Sequence, residues 1–132
     1  MLVFPPWKMV TAWDASPVKG VRVNIRCADS LAVVFAAIWA AANQDQAVID
    51  RWGLNLFGGA YTFRPMRGGM TLSMHAYGCA VDFDPARNAF GSKNPNFSKC
   101  PAVLSAFAAE GWVWGGEWKR PDGQHWQAAR VK

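Results

Sequence analysis

The sequence predicts an α+β domain, and three observations carry that prediction. Residues 31–42 and 101–110 place apolar side chains at helical spacing. Short β-like pieces punctuated by glycine and proline fill most of the chain after residue 53. Helical and strand-like segments do not alternate as βαβ units, which argues against a doubly wound parallel sheet. With 132 residues the chain has the length of one domain. Its 52% apolar content against 17% charged, with eight tryptophans, supports a packed core and excludes disorder.

The elements follow in order. Residues 1–19, rich in proline, tryptophan and polar groups, read as an irregular N-terminal arm ahead of a domain at 20–132. Val21-Arg22-Val23-Asn24-Ile25 alternates and predicts a short strand. Asp29 and Ser30 are N-cap candidates for a helix in which Leu31, Val34, Phe35, Ile38, Trp39 and Ala42 share one face. Alanine and valine fill the positions between, so this helix is expected to be buried on most sides. After a break at 43–46, residues 47–52 predict a second short helix stopped by Gly53.

Strand-like pieces at 60–63 and 79–83 come next, and residues 85–95 read as a loop. The helix at 101–110 has Pro101 suited to its first turn and Gly111 to its stop. Two final strands, 112–114 and 125–127, flank a glycine-rich, charged turn.

Formal charge is +5, which favours anionic partners: nucleic acid, an anionic membrane surface or an acidic wall polymer. The basic residues are scattered without a run of like charge, so no nucleic-acid partner is expected. Cys27, Cys79 and Cys100 form neither a C-x-x-C nor an even set and read as reduced, structural thiols. The first residues lack the basic and apolar regions of a signal peptide. The apolar run at 31–42 is shorter than the roughly 20 residues of a membrane span. The expectation is a monomer synthesised in the cytoplasm.

Chemistry concentrates around two histidines, His75 and His125. His75 opens a stretch that reaches Asp82 through Gly78, and His125 follows Asp122 by three residues. Two imidazoles and a carboxylate form a catalytic zinc set with one position left for water. Seven residues from His75 to Asp82 do not suit adjacent helical turns; they suit a turn at Gly78 that folds the following strand back beside His75. Two unrelated histidines beside carboxylates remain the alternative at this stage.

The pattern Ser73-x-His75-x-x-Gly78-x-Ala80-x-Asp82 resembles the first signature of the LAS metallopeptidases, the group of lysostaphin-type enzymes, D-Ala-D-Ala peptidases and hedgehog-like domains. Residues 111–118, followed by Asp122-x-x-His125-Trp126, resemble the second signature of the VanY-like D-alanyl-D-alanine carboxypeptidase branch. Gly59-x-Tyr61-x-x-Arg64-Pro65 resembles the segment that precedes the first ligand there. The similarity runs from about residue 20 to residue 127.

It implies a hedgehog/DD-peptidase-like fold, with helices packed on a small antiparallel sheet that carries one Zn2+. His75, Asp82 and His125 are implied as ligands, Asp122 as general base, and Arg64 and Ser73 as substrate-binding groups. Arg64 would also stabilise the developing oxyanion. For Arg64 a solvated strand end, and for Ser73 a turn, are the competing structural readings.

Many relatives carry glutamate where Asp122 stands; the aspartate is similar to phage L-alanyl-D-glutamate endopeptidases. The implied activity is cleavage of the peptidoglycan stem peptide between L-Ala and D-Glu by a phage-type endolysin, with the positive charge aiding adhesion to an anionic envelope surface. A D,D-carboxypeptidase removing terminal D-Ala and a catalytically silent, zinc-containing wall-binding module are the alternatives.

Several neighbours stay ambiguous in the sequence. Trp114, Trp118 and Trp126 either wall the cleft or pack in the core. Asp84 shares a strand face with Asp82 and either bonds the outer nitrogen of a ligand histidine or caps the turn at Pro85. Alternation turns Cys79 away from Asp82, so it is not counted as a ligand.

Overall fold

The computed structural model describes residues 1–60 and 79–128. Among them are three α-helices and eight β-strands in an α+β arrangement. β1 (Leu2–Val3) pairs with β4 (Val21–Arg22) as a small separate ribbon. The main sheet contains β2 (Met9–Thr11), β3 (Pro17–Val18), β5 (Leu56–Ala60), β6 (Ala80–Phe83), β7 (Trp112–Trp114) and β8 (His125–Ala128). Its strand order is β3-β2-β5-β6-β8-β7. All neighbours are antiparallel except β2 and β5, which run parallel, so the sheet is mixed and not purely antiparallel as expected.

The irregular reading of residues 1–19 is corrected by β1, β2 and β3. Each has two or three residues, too few for alternation to show. Trp7 and Met9 are buried, and Trp7 donates from Nε1 to the Leu54 carbonyl at 2.9 Å.

The first helix also starts earlier than expected. α1 spans Ile25–Ala41, and its N-cap is Asn24, whose side chain accepts from the Arg26 amide at 2.9 Å. Alternation over residues 21–25 hid this cap inside an apparent strand. Ser30 is instead within α1, and its Oγ accepts from Trp112 Nε1 at 2.9 Å, tying β7 to the helix. Burial is one-sided: Cys27, Ala28, Leu31, Val34, Phe35 and Ile38 are buried, while Ala32, Val33, Ala36 and Ala37 are exposed. The expectation of burial on most sides fails because small apolar residues tolerate either environment.

α2 (Gln46–Trp52) is capped by Asp45 and ends at Gly53 with φ +91°, the left-handed stop read from the sequence. α3 (Pro101–Ala109) begins on its proline.

The buried face of the sheet is built around Trp126. Its ring stacks on Phe107 at 4.5 Å and meets Phe97 edge-on at 4.6 Å, with Phe83 beyond at 6.4 Å. Such pairs each add about 0.5–1.5 kcal/mol beyond area burial. Val81, Phe83, Trp126 and Ala128 line this side, and α3 packs against both α1 and β7. Side chains alternate across strands, so Asp82, His125 and Gln127 project from the opposite face. The core thereby fixes two central strands, β6 and β8, whose other face carries the polar chemistry.

Candidate active site

Asp82 on β6 and His125 on β8 are direct partners in the antiparallel register. Side chains so paired meet across about 5 Å, and here His125 Nδ1 lies 2.9 Å from Asp82 Oδ1. The other ring nitrogen, Nε2, lies 2.9 Å from Gln127 Oε1, two residues along the same strand face. His125 is buried and Asp82 half-buried. Gly58, at a register shift of β5, makes room for this pair: a methyl there would stand 3.2 Å from Asp82 Cβ.

Asp122 reaches the pair through a tight turn. The His125 amide donates to the Asp122 carbonyl at 3.1 Å, and the Asp122 amide donates to the Gly115 carbonyl at 2.8 Å. Gly115 has no room for a side chain, since a Cβ would sit 2.5 Å from the Asp122 carbonyl oxygen and 3.3 Å from His125 Cβ. On the far side Gly123 abuts Pro95, whose Cβ would lie 2.5 Å from an added methyl. Trp114 donates from Nε1 to the Gly123 carbonyl at 2.8 Å. The turn is thus gripped by the 115–118 segment on one side and the 85–95 loop on the other.

The electrostatics follow from burial and mutual proximity. Burial raises the Asp122 carboxyl above its ordinary range, the Asp82 charge raises it further, and His125 offsets part of this. Burial pulls the His125 imidazole down. The hydrogen bonds to Asp82 and Gln127 and the charges of Asp82 and Asp122 outweigh it, so the net shift is upward. Asp122 Oδ1 is buried with no hydrogen-bond partner among the described residues. An unsatisfied carboxylate oxygen beside such a pair is a costly feature of folding and a useful one for a base.

The tryptophans separate. Trp126 is fully buried and belongs to the core, the second of its two sequence readings. Trp118 is exposed, with its ring 5.3 Å from His125, and does flank the site. Trp114 braces the turn through Gly123.

Asp84 lies behind the site among other partners. It is fully buried at φ +49°, and its Oδ2 accepts from Arg87 Nε at 2.7 Å. Arg87 reaches on to the Asp50 and Arg51 carbonyls at the end of α2, and Asn88 Nδ2 donates to the Asp84 carbonyl at 2.9 Å. Asp84 therefore organises the turn after β6, the second of its two sequence readings. Cys79, Cys27 and Cys100 are buried thiols that form no disulfide.

The sequence had marked neither Gln127 nor Gly115. The signal for Gln127 was available, because it stands two residues from His125 on one strand. Arg64, Ser73 and His75 lie outside the described residues. Among the described residues no group of three or more histidine, cysteine or acidic side chains is placed to hold a metal.

Residues 67–128 match the family model of D-alanyl-D-alanine carboxypeptidase. The matched stretch contains Ser73, His75, Asp82, Asp122 and His125, so the grouping of Asp82, Asp122 and His125 falls inside it; Arg64 precedes it. The match supports that carboxypeptidase family and, at that level, a peptidase of the peptidoglycan-acting kind. No curated protein and no solved structure gave a significant match.

Peptidases of this carboxypeptidase family are generally zinc-dependent, and the described half of the site fits a cation. Gln127 Oε1 has no proton to give, so its approach to Nε2 is attractive when Nε2 carries the proton. Nδ1 then presents a lone pair to the Asp82 carboxylate. A second proton or a cation between the two reconciles them.

Proposed function

We propose that the chain is a zinc-dependent peptidoglycan peptidase that hydrolyses the L-Ala–D-Glu bond of the stem peptide, in the manner of a phage-type endolysin. The observation that carries the reading is the pairing of Asp82 and His125 on one face of β6 and β8, with the Asp122 carboxyl close enough to interact with both and its Oδ1 unpartnered among the described residues. His75, Asp82 and His125 are the proposed ligands of one zinc. When bound, zinc supplies a Lewis acid that lowers the pKa of water toward about 7.

The chain's own groups do the rest. Asp122 accepts a proton from the attacking water and passes it to the leaving amine. Its raised pKa suits both halves of that exchange. Arg64 binds the substrate carboxylate or the developing oxyanion, and Ser73 assists in holding the peptide. Trp118 limits water at the open side.

Aspartate at position 122 favours the endopeptidase, since it is similar to the phage enzymes. The matched family, D-alanyl-D-alanine carboxypeptidase, favours the second reading, a D,D-carboxypeptidase. The proposed partner is the stem peptide in intact wall, approached by a monomer made in the cytoplasm and acting after release. The net charge of +5 assists adhesion to an anionic envelope.

Digestion of purified peptidoglycan, followed by mass spectrometry of the new termini, tests the reading. New D-Glu amino termini are expected. Free D-alanine without them would establish the carboxypeptidase, and no cleavage by zinc-loaded protein would leave the silent wall-binding module.

A further inference from the structure

We infer that Gln127 is a positioning residue that sets the tautomer of His125, holding the proton on Nε2 so that Nδ1, the nitrogen beside Asp82, is the metal-directed one. The inference rests on the zinc reading above and adds a residue to it.

The geometry is specific. A neutral imidazole carries one N–H and one lone pair, and a metal takes the lone pair. His125 places its nitrogens in two different environments, with Nδ1 2.9 Å from a carboxylate oxygen and Nε2 2.9 Å from an amide oxygen. Alone, the carboxylate would win the proton for Nδ1, because a charged acceptor bonds more strongly than a neutral one. That tautomer presents its lone pair away from Asp82 and cannot share a cation with it. An acceptor at Nε2 favours the opposite tautomer, and Gln127 Oε1 is that acceptor. Once a cation neutralises Asp82, the competition at Nδ1 ends and the Gln127 bond decides the orientation of the ring.

The position is well held. Gln127 sits in β8 between β6 and β7, with Ala80 and Val113 as its partners in register. A central strand fixes its Cα–Cβ direction, and the spacing of two puts the amide beside the imidazole. Residue type also matters. Asp82 and Asp122 already bear on His125, and a neutral acceptor adds direction without a third negative charge. Partners of this kind on a ligand's outer nitrogen change metal affinity by about 10–100-fold.

The test uses the whole chain labelled with 15N and loaded with 113Cd or zinc at pH 8.5. The chain has two histidines, so the ring signals are few, and His125→Ala assigns them. In the wild type, cadmium–nitrogen coupling is expected at Nδ1 of His125, with a slowly exchanging proton on Nε2. Gln127→Leu should lose the protection of that proton and weaken zinc in chelator competition by about 10–100-fold, with circular dichroism unchanged. Gln127→Glu keeps an acceptor and should restore the protection of that proton, with zinc held more tightly than by the leucine variant. Coupling at Nε2, or a leucine variant whose zinc affinity stays within about twofold of wild type against that expectation, overturns the inference while leaving the metal site standing. Wild-type protein that takes up neither metal overturns the zinc reading as well, and shows this before any variant is made.

Discussion

Replacing Gly115 by alanine should separate catalysis from folding. The added methyl would lie 2.5 Å from the Asp122 carbonyl oxygen, 3.2 Å from Asp122 Cβ and 3.3 Å from His125 Cβ. Ordinary contact begins near 3.4 Å, so the Asp122 carbonyl must retreat by about 0.9 Å or the 115–118 segment must move as far. Neither is free. The Gly115 carbonyl accepts from the Asp122 amide at 2.8 Å and from the Trp118 amide at 3.2 Å, and Gly123 is stopped by Pro95 behind. Overpacking of this kind costs about 1–3 kcal/mol, a fall in Tm of about 4–10 °C for a domain of this size. A displacement of the base by about 1 Å costs on the order of 10²-fold in turnover. The assay is clearance of purified sacculi well below Tm, with Tm followed by circular dichroism. Gly111→Ala is the control. Gly111 has φ +79° and open space around it, so alanine there should cost about 1 kcal/mol of stability without touching the site. If Gly115→Ala clears sacculi at the wild-type rate, the turn does not position a catalytic Asp122.

Other outcomes follow from the same geometry. Zinc should bind at one per chain, and His75→Ala or His125→Ala should weaken it severely in chelator competition; full occupancy in the double variant would refute the ligand set. Zinc affinity should fall on acidification from a higher pH than ordinary histidine would give. His125 is shifted upward, so its proton competes earlier as pH falls, and a titration of affinity against pH checks this. Asp122→Asn should keep zinc but lose about 10²–10⁴ in turnover, whereas Asp82→Asn should lose zinc affinity; equal zinc binding by both would contradict the division of roles. Gly53→Ala should destabilise the fold by more than about 1 kcal/mol, measured by urea denaturation, because φ +91° is strained for alanine and its methyl would collide with the buried Asp84 carboxylate.

Much of the fold was legible wherever a local rule governs it. Gly53 announces the end of α2, and Pro101 announces the start of α3, because caps and stops act within one turn. Asn24 was missed because one residue satisfied two patterns, an alternating strand and a helix cap, and local sequence does not arbitrate between them. The pairing of β2 with β5 was not legible, since the three residues of β2 leave no period and its partner lies far away in the chain. At the site, charge and motif spacing marked Asp82, Asp122 and His125. Gln127 carries no charge and offered only its spacing of two from His125, and Gly115 carries no side chain. Their roles arise from strand register and from a close approach, which only the tertiary arrangement supplies. Arg87 and Asn88 were hidden in a stretch that read as loop, although they hold the turn after Asp82.

The energetics of Asp122 explain why so much structure surrounds it. Burial and the Asp82 charge raise its pKa, so the folded state holds the Asp122 proton more tightly than the unfolded chain does. The sign is definite. The stabilisation from that proton is complete below the unfolded carboxyl range and is lost as pH rises through the higher folded pKa. At neutral pH an ionised Asp122 therefore works against folding, the more so with Oδ1 unsatisfied among the described residues. Removing the carboxylate in Asp122→Asn relieves that cost, so the substitution that most damages turnover should not damage stability. A purely structural carboxylate behaves in the opposite way, because it is retained for the hydrogen bonds it makes. The bracing of the turn by Gly115, Trp114 and Pro95 supplies, through packing and backbone hydrogen bonds, the stability that the Asp122 side chain itself withholds. A base beside a metal needs that separation of duties: its oxygen must be left without a protein donor so that a water can supply one.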